Sequence, residues 1–290
     1  MELCDSNVIR ALLERHGFHF SKSLGQNFLI DASVPADIAA TSGADKTCGV
    51  LEIGPGIGPL TQELCRAAGK VVSVELDSAL LPVLEETMAE FDNFTLIPGD
   101  IMKLDIPALV DREFPGLTPM VCANLPYNIT TPVLTALVRA GRFRSITVLI
   151  QKEVAERICA RPGTAEYGAF SVFMQYYTEP EKRFDVPNTC FLPRPKVTSA
   201  VLHCRVRETP AVAVNNEELF HRTVRGAFAL RRKTLVNSLA GGFGELSKAQ
   251  LTAAIEAAGL RPTVRGETLT LTEFAALTDA LGKALQEVEQ

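Results

Sequence analysis

The sequence predicts an α/β protein with a mostly parallel seven-stranded sheet, followed by a small all-helical domain. Two observations lead to this expectation. Apolar stretches of strand length alternate with amphipathic helical stretches as far as residue 205, which is the pattern of repeated strand-helix-strand units. From residue 217 onward the strand signals stop and Ala-rich helical periodicity continues. We therefore expect a first domain at 1–207 and a second at 208–290.

The predicted elements follow one another in a regular order. A short amphipathic helix at 7–15 and a polar, Gly-containing loop precede the sheet. Further helices are predicted at 35–40, 59–68, 78–90 and 132–140. Strands are predicted at 49–53, 70–75, 94–97, 120–123 and 145–151, and an antiparallel hairpin of 176–186 and 198–205 is expected to close the sheet.

The composition is typical of a globular enzyme. Hydrophobic residues make up 47% of the chain, and no apolar run approaches the roughly 20 residues that cross a bilayer. The N-terminus starts acidic and lacks the basic-then-apolar order of a signal peptide, so we expect a cytoplasmic protein without membrane contact. The seven cysteines form no Cys-x-x-Cys pair, and the four histidines show no metal-ligand spacing. We expect reduced thiols, no metal, and histidines that are solvated or locally hydrogen-bonded.

Charge is unevenly distributed along the chain. The net charge is −5, but residues 139–233 hold 17 basic and 9 acidic side chains, a local +8. The remainder holds 12 basic and 25 acidic side chains, or −13. A region this basic can meet the phosphates of a nucleic acid. Because charged runs are usually just solvated faces, its meaning depends on where the basic residues lie relative to a site.

A Gly-rich turn follows the first strong strand. Gly54, Gly56 and Gly58 stand where the backbone must turn sharply or approach a ligand closely. A dinucleotide-binding fingerprint would need glycine at the position of Pro59. The Gly-x-Gly-x-Gly spacing, preceded by Glu52, instead resembles the nucleotide-facing loop of S-adenosylmethionine methyltransferases. We take Gly54 and Gly56 as candidate cofactor contacts.

Acidic residues end the next two strands. Glu75 ends the strand at 70–75, where a carboxylate can accept from both ribose hydroxyls, and Asp100 follows the third strand, where it could accept from an adenine amine. Each acid alone is better explained as a helix N-cap or a solvated loop residue. Their shared position at the carboxyl ends of consecutive strands favours ligand binding. Asp77 and Asp105 are interpreted as caps.

The tetrapeptide Asn124-Leu125-Pro126-Tyr127 directly follows the apolar strand at 120–123. The Asn124 carboxamide oxygen and the Pro126 carbonyl can accept the two hydrogens of an exocyclic amine, and the Tyr127 ring offers a face on which a base can stack. The alternative is an ordinary strand-to-loop exit, where Asn and Pro are common.

A series of motifs resembles the ribosomal RNA adenine dimethyltransferases, and within them the bacterial small-subunit group. The resemblance covers nearly the whole chain. It rests on the Gly54 loop, the Asn124 turn and four further stretches: Ser23-Leu24-Gly25-Gln26-Asn27-Phe28-Leu29, Gln151-Lys152-Glu153-Val154-Ala155-Glu156-Arg157, Phe191-Leu192-Pro193-Arg194-Pro195-Lys196-Val197 and Arg231-Arg232-Lys233-Thr234-Leu235. Pro59 and Leu230 depart from the family pattern, and Leu230 weakens the case for its neighbours as RNA contacts.

The resemblance implies a fold, a reaction and a set of contacts. The fold is a class I, Rossmann-like S-adenosylmethionine methyltransferase domain with a helical RNA-binding domain, acting as a monomer on small-subunit RNA in a pre-ribosomal 30S-like particle. The reaction dimethylates two adjacent adenosines near the 3′ end of that RNA and yields S-adenosylhomocysteine. Cofactor contacts would come from Asn27, Leu29, Gly54, Glu75, Asp100 and Asn124.

The expected chemistry needs few groups. Asn124 and Pro126 would accept the amine hydrogens, while Tyr127 and Phe191 would sandwich the base; the alternative for Phe191 is a core aromatic. RNA phosphates would meet Arg222, Arg225, Arg231, Arg232 and Lys233. Three other functions stay open at this point: a DNA adenine methyltransferase, a non-catalytic assembly or transcription factor on the same fold, and an oxidoreductase.

Overall fold

The computed structural model describes residues 1–18 and 26–288. The chain divides into two compact units, the first made of Met1–Ala155 and Pro180–Val206, the second of Glu156–Glu179 and Arg207–Gln290. The second unit thus takes a segment, Glu156–Glu179, from within the expected first domain at 1–207. Packing explains this, because Tyr167 and Tyr176 are each 1% exposed and belong to the apolar core of the second unit.

The chain forms nine strands and twelve α-helices in its described parts. The strands are β1 (Phe28–Leu29), β2 (Cys48–Ile53), β3 (Lys70–Glu75), β4 (Phe94–Pro98), β5 (Thr118–Asn124), β6 (Ser145–Gln151), β7 (Thr178–Val186), β8 (Phe191–Leu192) and β9 (Ser199–Val206). The helices are α1 (Ser6–Arg15), α2 (Ser33–Ser42), α3 (Pro59–Ala67), α4 (Leu81–Thr87), α5 (Ile106–Glu113), α6 (Thr130–Ala140), α7 (Lys152–Cys159), α8 (Ala169–Tyr177), α9 (Glu217–Phe228), α10 (Leu235–Leu239), α11 (Lys248–Ala257) and α12 (Leu271–Val288).

Seven strands form one sheet, in the order β4-β3-β2-β5-β6-β9-β7. The strands from β4 to β6 in this order are parallel to one another, and β9 runs antiparallel to β6. Every residue of β2 is buried, as expected for a central parallel strand covered on both faces. The predicted seven-stranded, mostly parallel sheet is confirmed. A separate two-stranded ribbon pairs β1 with β8.

The strand register brings several polar side chains to one edge of the sheet. Ile53 pairs with Val74, Glu75 with Pro98, and Asn124 with Leu149, and β2 also pairs with β5, so the carboxyl ends of five parallel strands lie side by side. This edge is where open α/β sheets bind ligands. Glu75, Asp100 and Asn124 are therefore neighbours in space although they are far apart in the sequence.

The second unit is helical, as predicted for the C-terminal part of the chain. Its core joins α8 to the C-terminal helices through Tyr176, Phe220, Leu251 and Phe274, none of them more than 1% exposed. The Asn216 side chain caps α9, and Ser247 and Gln250 form a capping box at the start of α11. Asn and Ser are residues that commonly begin helices, and the Ser-x-x-Gln spacing is typical of a capping box.

Several helices are not among the sequence predictions. Helices α5, α7 and α8 are additional, and the predicted helix at 78–90 is a 3₁₀ turn at Ser78–Leu80 followed by the shorter α4. Tyr176, expected in a strand, lies in α8. Within the described residues no helix has the length and apolar character needed to cross a membrane.

Candidate active site

A cleft lies at the carboxyl edge of the sheet in the first unit. Its volume is about 1070 Å³, including the part that is open to solvent. The walls come from β1, the Gly54 loop, the ends of β3 and β4, and the turn after β5. Every predicted cofactor residue lines it: Asn27, Leu29, Gly54, Gly56, Glu75, Asp100 and Asn124. Residues Ser23, Leu24 and Gly25 of the first motif lie outside the described residues.

The Gly54 loop is built from backbone that favours glycine. Gly54, Gly56 and Gly58 have φ angles of 66°, 64° and 96°, a region that costs other residues strain. A Cβ atom on Gly56 would come within 3.2 Å of the Phe28 ring. On Gly54 it would stand 3.8 Å from the ring of Pro126. A side chain at position 56 would therefore crowd Phe28 of β1, whereas a Cβ at position 54 would reach Pro126 at an ordinary contact distance.

Glu75 has a buried carboxylate that can accept two further hydrogen bonds. It is 5% exposed, and its oxygens accept from the backbone N–H of Gly56 at 3.3 Å and of Asp77 at 2.8 Å. Burial raises the pKa of Glu75 above its ordinary value, although the two backbone hydrogen bonds partly offset this. One backbone donor on each oxygen leaves acceptor capacity for a pair of hydroxyl groups.

Asp100 and its neighbours form the far wall of the cleft. Its Oδ1 atom accepts from the Met102 N–H at 3.0 Å and caps a 3₁₀ turn. The predicted capping roles of Asp77 and Asp105 are confirmed. Leu76 lines the same wall and is 55% exposed, an unusual state for a large apolar residue. Sequence reasoning missed Leu76; the available signal was an apolar residue directly after a strand-end acid.

Glu52 lies beneath the Gly54 loop and is 1% exposed. Its Oε2 atom accepts from the hydroxyls of Thr61 at 2.7 Å and Ser73 at 2.6 Å. Burial raises the pKa of Glu52 to about 7, against the lowering effect of those hydroxyls. A carboxyl group that lines the cleft thus changes charge near neutral pH. The described residues lining the cleft include three acids, Glu52, Glu75 and Asp100, and no basic side chain.

The Asn124 side chain is held from one side. Its Nδ2 atom donates to the backbone carbonyl of Asn27 at 3.4 Å, a long hydrogen bond that joins β5 to the segment before β1. The Leu125 N–H donates to Leu149 O at 3.1 Å, so strand pairing continues one residue beyond Asn124. The carboxamide is therefore anchored through its nitrogen, and its oxygen is the atom available as an acceptor.

Pro126 and Tyr127 also line the cleft, and each already makes hydrogen bonds within the protein. The Pro126 carbonyl accepts from the Thr130 hydroxyl at 3.2 Å and from the Ile129 N–H at 3.3 Å. Both hydrogen bonds are long and therefore weak. An incoming amine hydrogen would bind to the same oxygen alongside these two donors. The Tyr127 hydroxyl lies 2.7 Å from Ser199 Oγ, which fixes the ring, and burial raises the pKa of the Tyr127 phenol.

The Phe191 side chain does not line the cleft. The ring is 2% exposed and packs in the core of the first unit. Its backbone pairs with Leu29 in the β1-β8 ribbon, so it stands behind the cleft wall rather than in it. This arrangement favours the core-aromatic alternative over stacking on a base.

The predicted RNA contacts of the second unit fall into two groups. Arg222 donates to both carboxylate oxygens of Glu245 at 2.7 Å and lies over the Phe243 ring. Arg231 donates to the backbone carbonyls of Ala165 and Tyr167 at 2.6 and 3.1 Å. Neither guanidinium is therefore fully available to a ligand. Arg225, Arg232 and Lys233 are exposed, and their side chains make no hydrogen bond or ion pair with any described residue.

The expectation of locally hydrogen-bonded histidines is confirmed for three of them. His16 pairs with Glu86 at 2.7 Å, His203 with Thr147 at 2.8 Å, and His221 with Tyr177 at 2.7 Å. His19 lies outside the described residues. All seven cysteines are free thiols.

Comparisons with known proteins identify the family of the chain. The family model described as "Ribosomal RNA adenine dimethylase" matches residues 17–278. Two curated relatives, both named ribosomal RNA small subunit methyltransferase A, are 47% identical to the chain. The protein from Shouchella clausii (strain KSM-K16) matches over 96% of this chain and 95% of its own length. The protein from Streptococcus pneumoniae (strain P1031) matches over 97% of this chain and 98% of its own length.

Solved structures show the same fold. A dimethyladenosine transferase from Plasmodium falciparum has a TM-score of 0.75 at 22% identity, covering 88% of this chain and 98% of that one. The 23S rRNA methyltransferase ErmE has a TM-score of 0.67 at 26% identity, covering 88% and 99%. The first of these likenesses concerns the fold alone.

Proposed function

The chain belongs to the ribosomal RNA adenine dimethylase family, and from this premise we propose that it dimethylates the N6 amines of two adjacent adenosines near the 3′ end of small-subunit ribosomal RNA. The observation that carries the proposal is that the Gly54 loop and the Asn124 turn line one cleft. A donor-binding loop and an amine-binding turn must meet if a methyl group is to pass directly between their ligands.

The residues of the cleft fit S-adenosylmethionine. Gly54 and Gly56 leave room for a ligand close to the backbone, and Glu75 can accept from both ribose hydroxyls. Asp100 can accept from the adenine amine, with the exposed Leu76 side chain against the ring face. When bound, S-adenosylmethionine would supply a methyl group on a positively charged sulfur, which leaves readily as the thioether of S-adenosylhomocysteine.

The acceptor amine needs its lone pair directed toward the methyl group. An adenine amine is a weak nucleophile because this pair is delocalised into the ring. Hydrogen bonds from the amine to Asn124 Oδ1 and to the Pro126 carbonyl favour a tetrahedral nitrogen and localise the pair. The Tyr127 ring, fixed by Ser199, provides a stacking face. As the new carbon-nitrogen bond forms, the carbon-sulfur bond breaks, and the methylated, positively charged amine then releases one proton to water. Because this cation is acidic, alignment and hydrogen bonds carry the reaction without a strong general base.

The second transfer sets a stricter demand, because only one amine hydrogen remains. Asn124 Oδ1 is the stronger acceptor for it, since the Pro126 carbonyl already accepts from Thr130 and Ile129. We propose that the monomethylated amine rotates about its carbon-nitrogen bond and presents its hydrogen to Asn124. Product analysis that found only monomethyladenosine would contradict this.

The substrate is proposed to be a pre-ribosomal, 30S-like particle that a monomer of the chain meets in the cytoplasm. Support comes from Arg225, Arg232 and Lys233 in the second unit, whose exposed side chains have no partner among the described residues. Phosphate contacts of this kind position RNA without reading its sequence. Binding should therefore weaken steeply with salt.

Mass spectrometry of RNA after incubation with labelled S-adenosylmethionine tests the proposal. Unmethylated small ribosomal subunits, large subunits and adenine-containing DNA are offered side by side. We expect label in two adjacent dimethyladenosines of the small-subunit RNA and in neither of the other substrates. Label in DNA or in large-subunit RNA alone would replace the proposal with a different methyltransferase, and label in none would remove the proposed activity.

A further inference from the structure

The loop at residues 193–198 is tied at both ends to the walls of the cleft. Before it, Leu192 pairs with Phe28 in the β1-β8 ribbon, and Phe28 lines the cleft. After it, the Ser199 hydroxyl lies 2.7 Å from the hydroxyl of Tyr127, the residue proposed to stack on the base. The loop therefore has a fixed position next to the acceptor side of the site.

The conformation of this loop is also fixed from within. Pro193 and Pro195 restrict the backbone. Asn188 donates through Nδ2 to the Pro195 carbonyl at 3.1 Å, and its Oδ1 atom accepts from Arg194 Nε at 2.9 Å. At the far end, Lys152 N–H donates to the Thr198 carbonyl at 3.0 Å. Side chains on the loop are thus presented from a stable backbone, although the loop itself is largely exposed.

The charge of the loop is opposite to that of the cofactor cleft. Residues 187–206 contain no acidic side chain. Arg194 and Lys196 are both exposed. Arg194 uses Nε to hold Asn188 and keeps its terminal nitrogens for a ligand, while Lys196 makes no hydrogen bond or ion pair with any described residue. The described lining of the cleft, in contrast, carries only acids.

We propose that residues 193–198 bind the phosphates of the RNA strand on either side of the adenosine that enters the cleft, with Lys196 and Arg194 as the contacts. The proposal rests on the proposed function, since it takes RNA as the substrate. The acidic walls of the cleft attract a positively charged sulfonium cofactor, whereas the basic loop attracts a polyanion such as RNA. Neither residue belongs to the RNA contacts expected in the second unit.

Lys196→Ala is the central test, because Arg194→Ala also removes a hydrogen bond within the loop. The control is Arg112→Ala, which removes a charge from a side chain that is 64% exposed at the end of α5, just before β5 begins and hence at the opposite edge of the sheet. The KM and kcat for unmethylated small subunits are measured at several KCl concentrations and constant Mg²⁺. Cofactor affinity is measured by calorimetry.

Loss of one phosphate contact should lower the slope of log(kcat/KM) against log salt by about one. We expect this in Lys196→Ala, with a raised KM for the particle and unchanged cofactor affinity, and recovery in Lys196→Arg. Arg112→Ala should keep the wild-type slope. A wild-type slope and KM in Lys196→Ala would overturn the inference while leaving the proposed function intact. Absence of methyl transfer by the wild-type protein would instead remove the proposed function.

Discussion

The Asn124 side-chain nitrogen lies 3.4 Å from the backbone carbonyl oxygen of Asn27. This contact joins the turn after β5 to the segment that leads into β1, 97 positions earlier in the chain. One hydrogen of the amide nitrogen is used in this contact, and the carboxamide oxygen makes no hydrogen bond with any described residue, so the oxygen is the acceptor that we assign to the substrate amine. The orientation of the proposed catalytic group therefore depends on a segment distant in sequence.

Asn124→Ala should reduce kcat by about 10²- to 10³-fold, the usual cost of removing one hydrogen-bonding group that acts in the transition state. Cofactor affinity should weaken only moderately, since the Gly54 loop and Glu75 remain. Methyl transfer to small-subunit RNA and calorimetry with the cofactor measure the two effects. The matched control is Asn128→Ala, an exposed Asn that also lines the cleft. Near-normal methylation by Asn124→Ala would refute its role.

Glu75→Gln should weaken cofactor binding about 10- to 100-fold, because charge-assisted hydrogen bonds to hydroxyls are replaced by weaker ones. The kcat at saturating cofactor should change much less. Asp105→Asn is the control, since Asp105 caps α5 through the Ala108 N–H and does not line the cleft. Equal cofactor affinity in wild type and Glu75→Gln would show that the ribose is held elsewhere.

Glu52 should make stability depend on pH. Burial raises the pKa of Glu52 from 4.5 to about 7, so between these values the folded protein binds more protons at this group than the unfolded chain. The free energy of unfolding should therefore fall as pH rises from 4.5 to 7, by on the order of 3 kcal/mol from this group. Above pH 7 its contribution is constant.

Urea unfolding of wild type and Glu52→Gln at pH 4.5 and 7.5 measures this effect. The variant cannot ionise at position 52, so its stability should decrease less across the same interval. Glu75, whose pKa burial also raises, is present in both proteins, and because its charge adds to the raised pKa of Glu52, the comparison reports Glu52 together with that repulsion. Identical pH dependence in the two proteins would show that Glu52 titrates near its ordinary value.

Phe191→Ala should lower the free energy of unfolding by about 3 to 5 kcal/mol, as expected for a large buried aromatic. Phe191→Leu should cost less, and it should keep most of the methyl transfer activity because the ring does not reach the cleft. A tenfold or greater loss of kcat in Phe191→Leu, with stability and cofactor affinity preserved, would instead support the stacking role that the motif predicts.

Arg231 and Arg232 should behave differently despite being neighbours. Arg231→Ala should lower the free energy of unfolding by about 1 to 2 kcal/mol, because the carbonyls of Ala165 and Tyr167 lose their donor. Arg232→Ala should change stability by less than about 0.5 kcal/mol and weaken binding to small subunits in a salt-dependent way. Thermal unfolding and binding titrations at two KCl concentrations separate these effects. Similar behaviour of the two variants would contradict the assignment.

The grouping of the proposed cofactor residues in one cleft was predictable because its signals are local. The Gly54 loop, Glu75 and Asp100 each follow a strand directly, and parallel strands bring their carboxyl ends to one edge. The sheet itself was predictable for the same reason, since alternation of strands and helices is visible in short windows. Helix α8 was not, because Tyr176 and Tyr177 favour a strand locally while packing against α9 selects a helix.

The features that the sequence could not reveal depend on distant partners. Arg231 binds carbonyl groups 64 and 66 positions away, so a basic cluster that looks free for RNA is partly structural. Phe191 is buried through its place in a ribbon with β1. The pKa of Glu52 follows from burial beneath a loop, which no spacing of residues encodes.

The φ angle of 66° at Gly54 has a consequence for substitutions in this loop. A Cβ atom at position 54 would stand 3.8 Å from the Pro126 ring, an ordinary van der Waals distance, so a side chain there would meet backbone strain and no clash. A Cβ atom at position 56 would meet both backbone strain and the Phe28 ring, 3.2 Å away. Gly56→Ala should therefore disturb the loop more than Gly54→Ala.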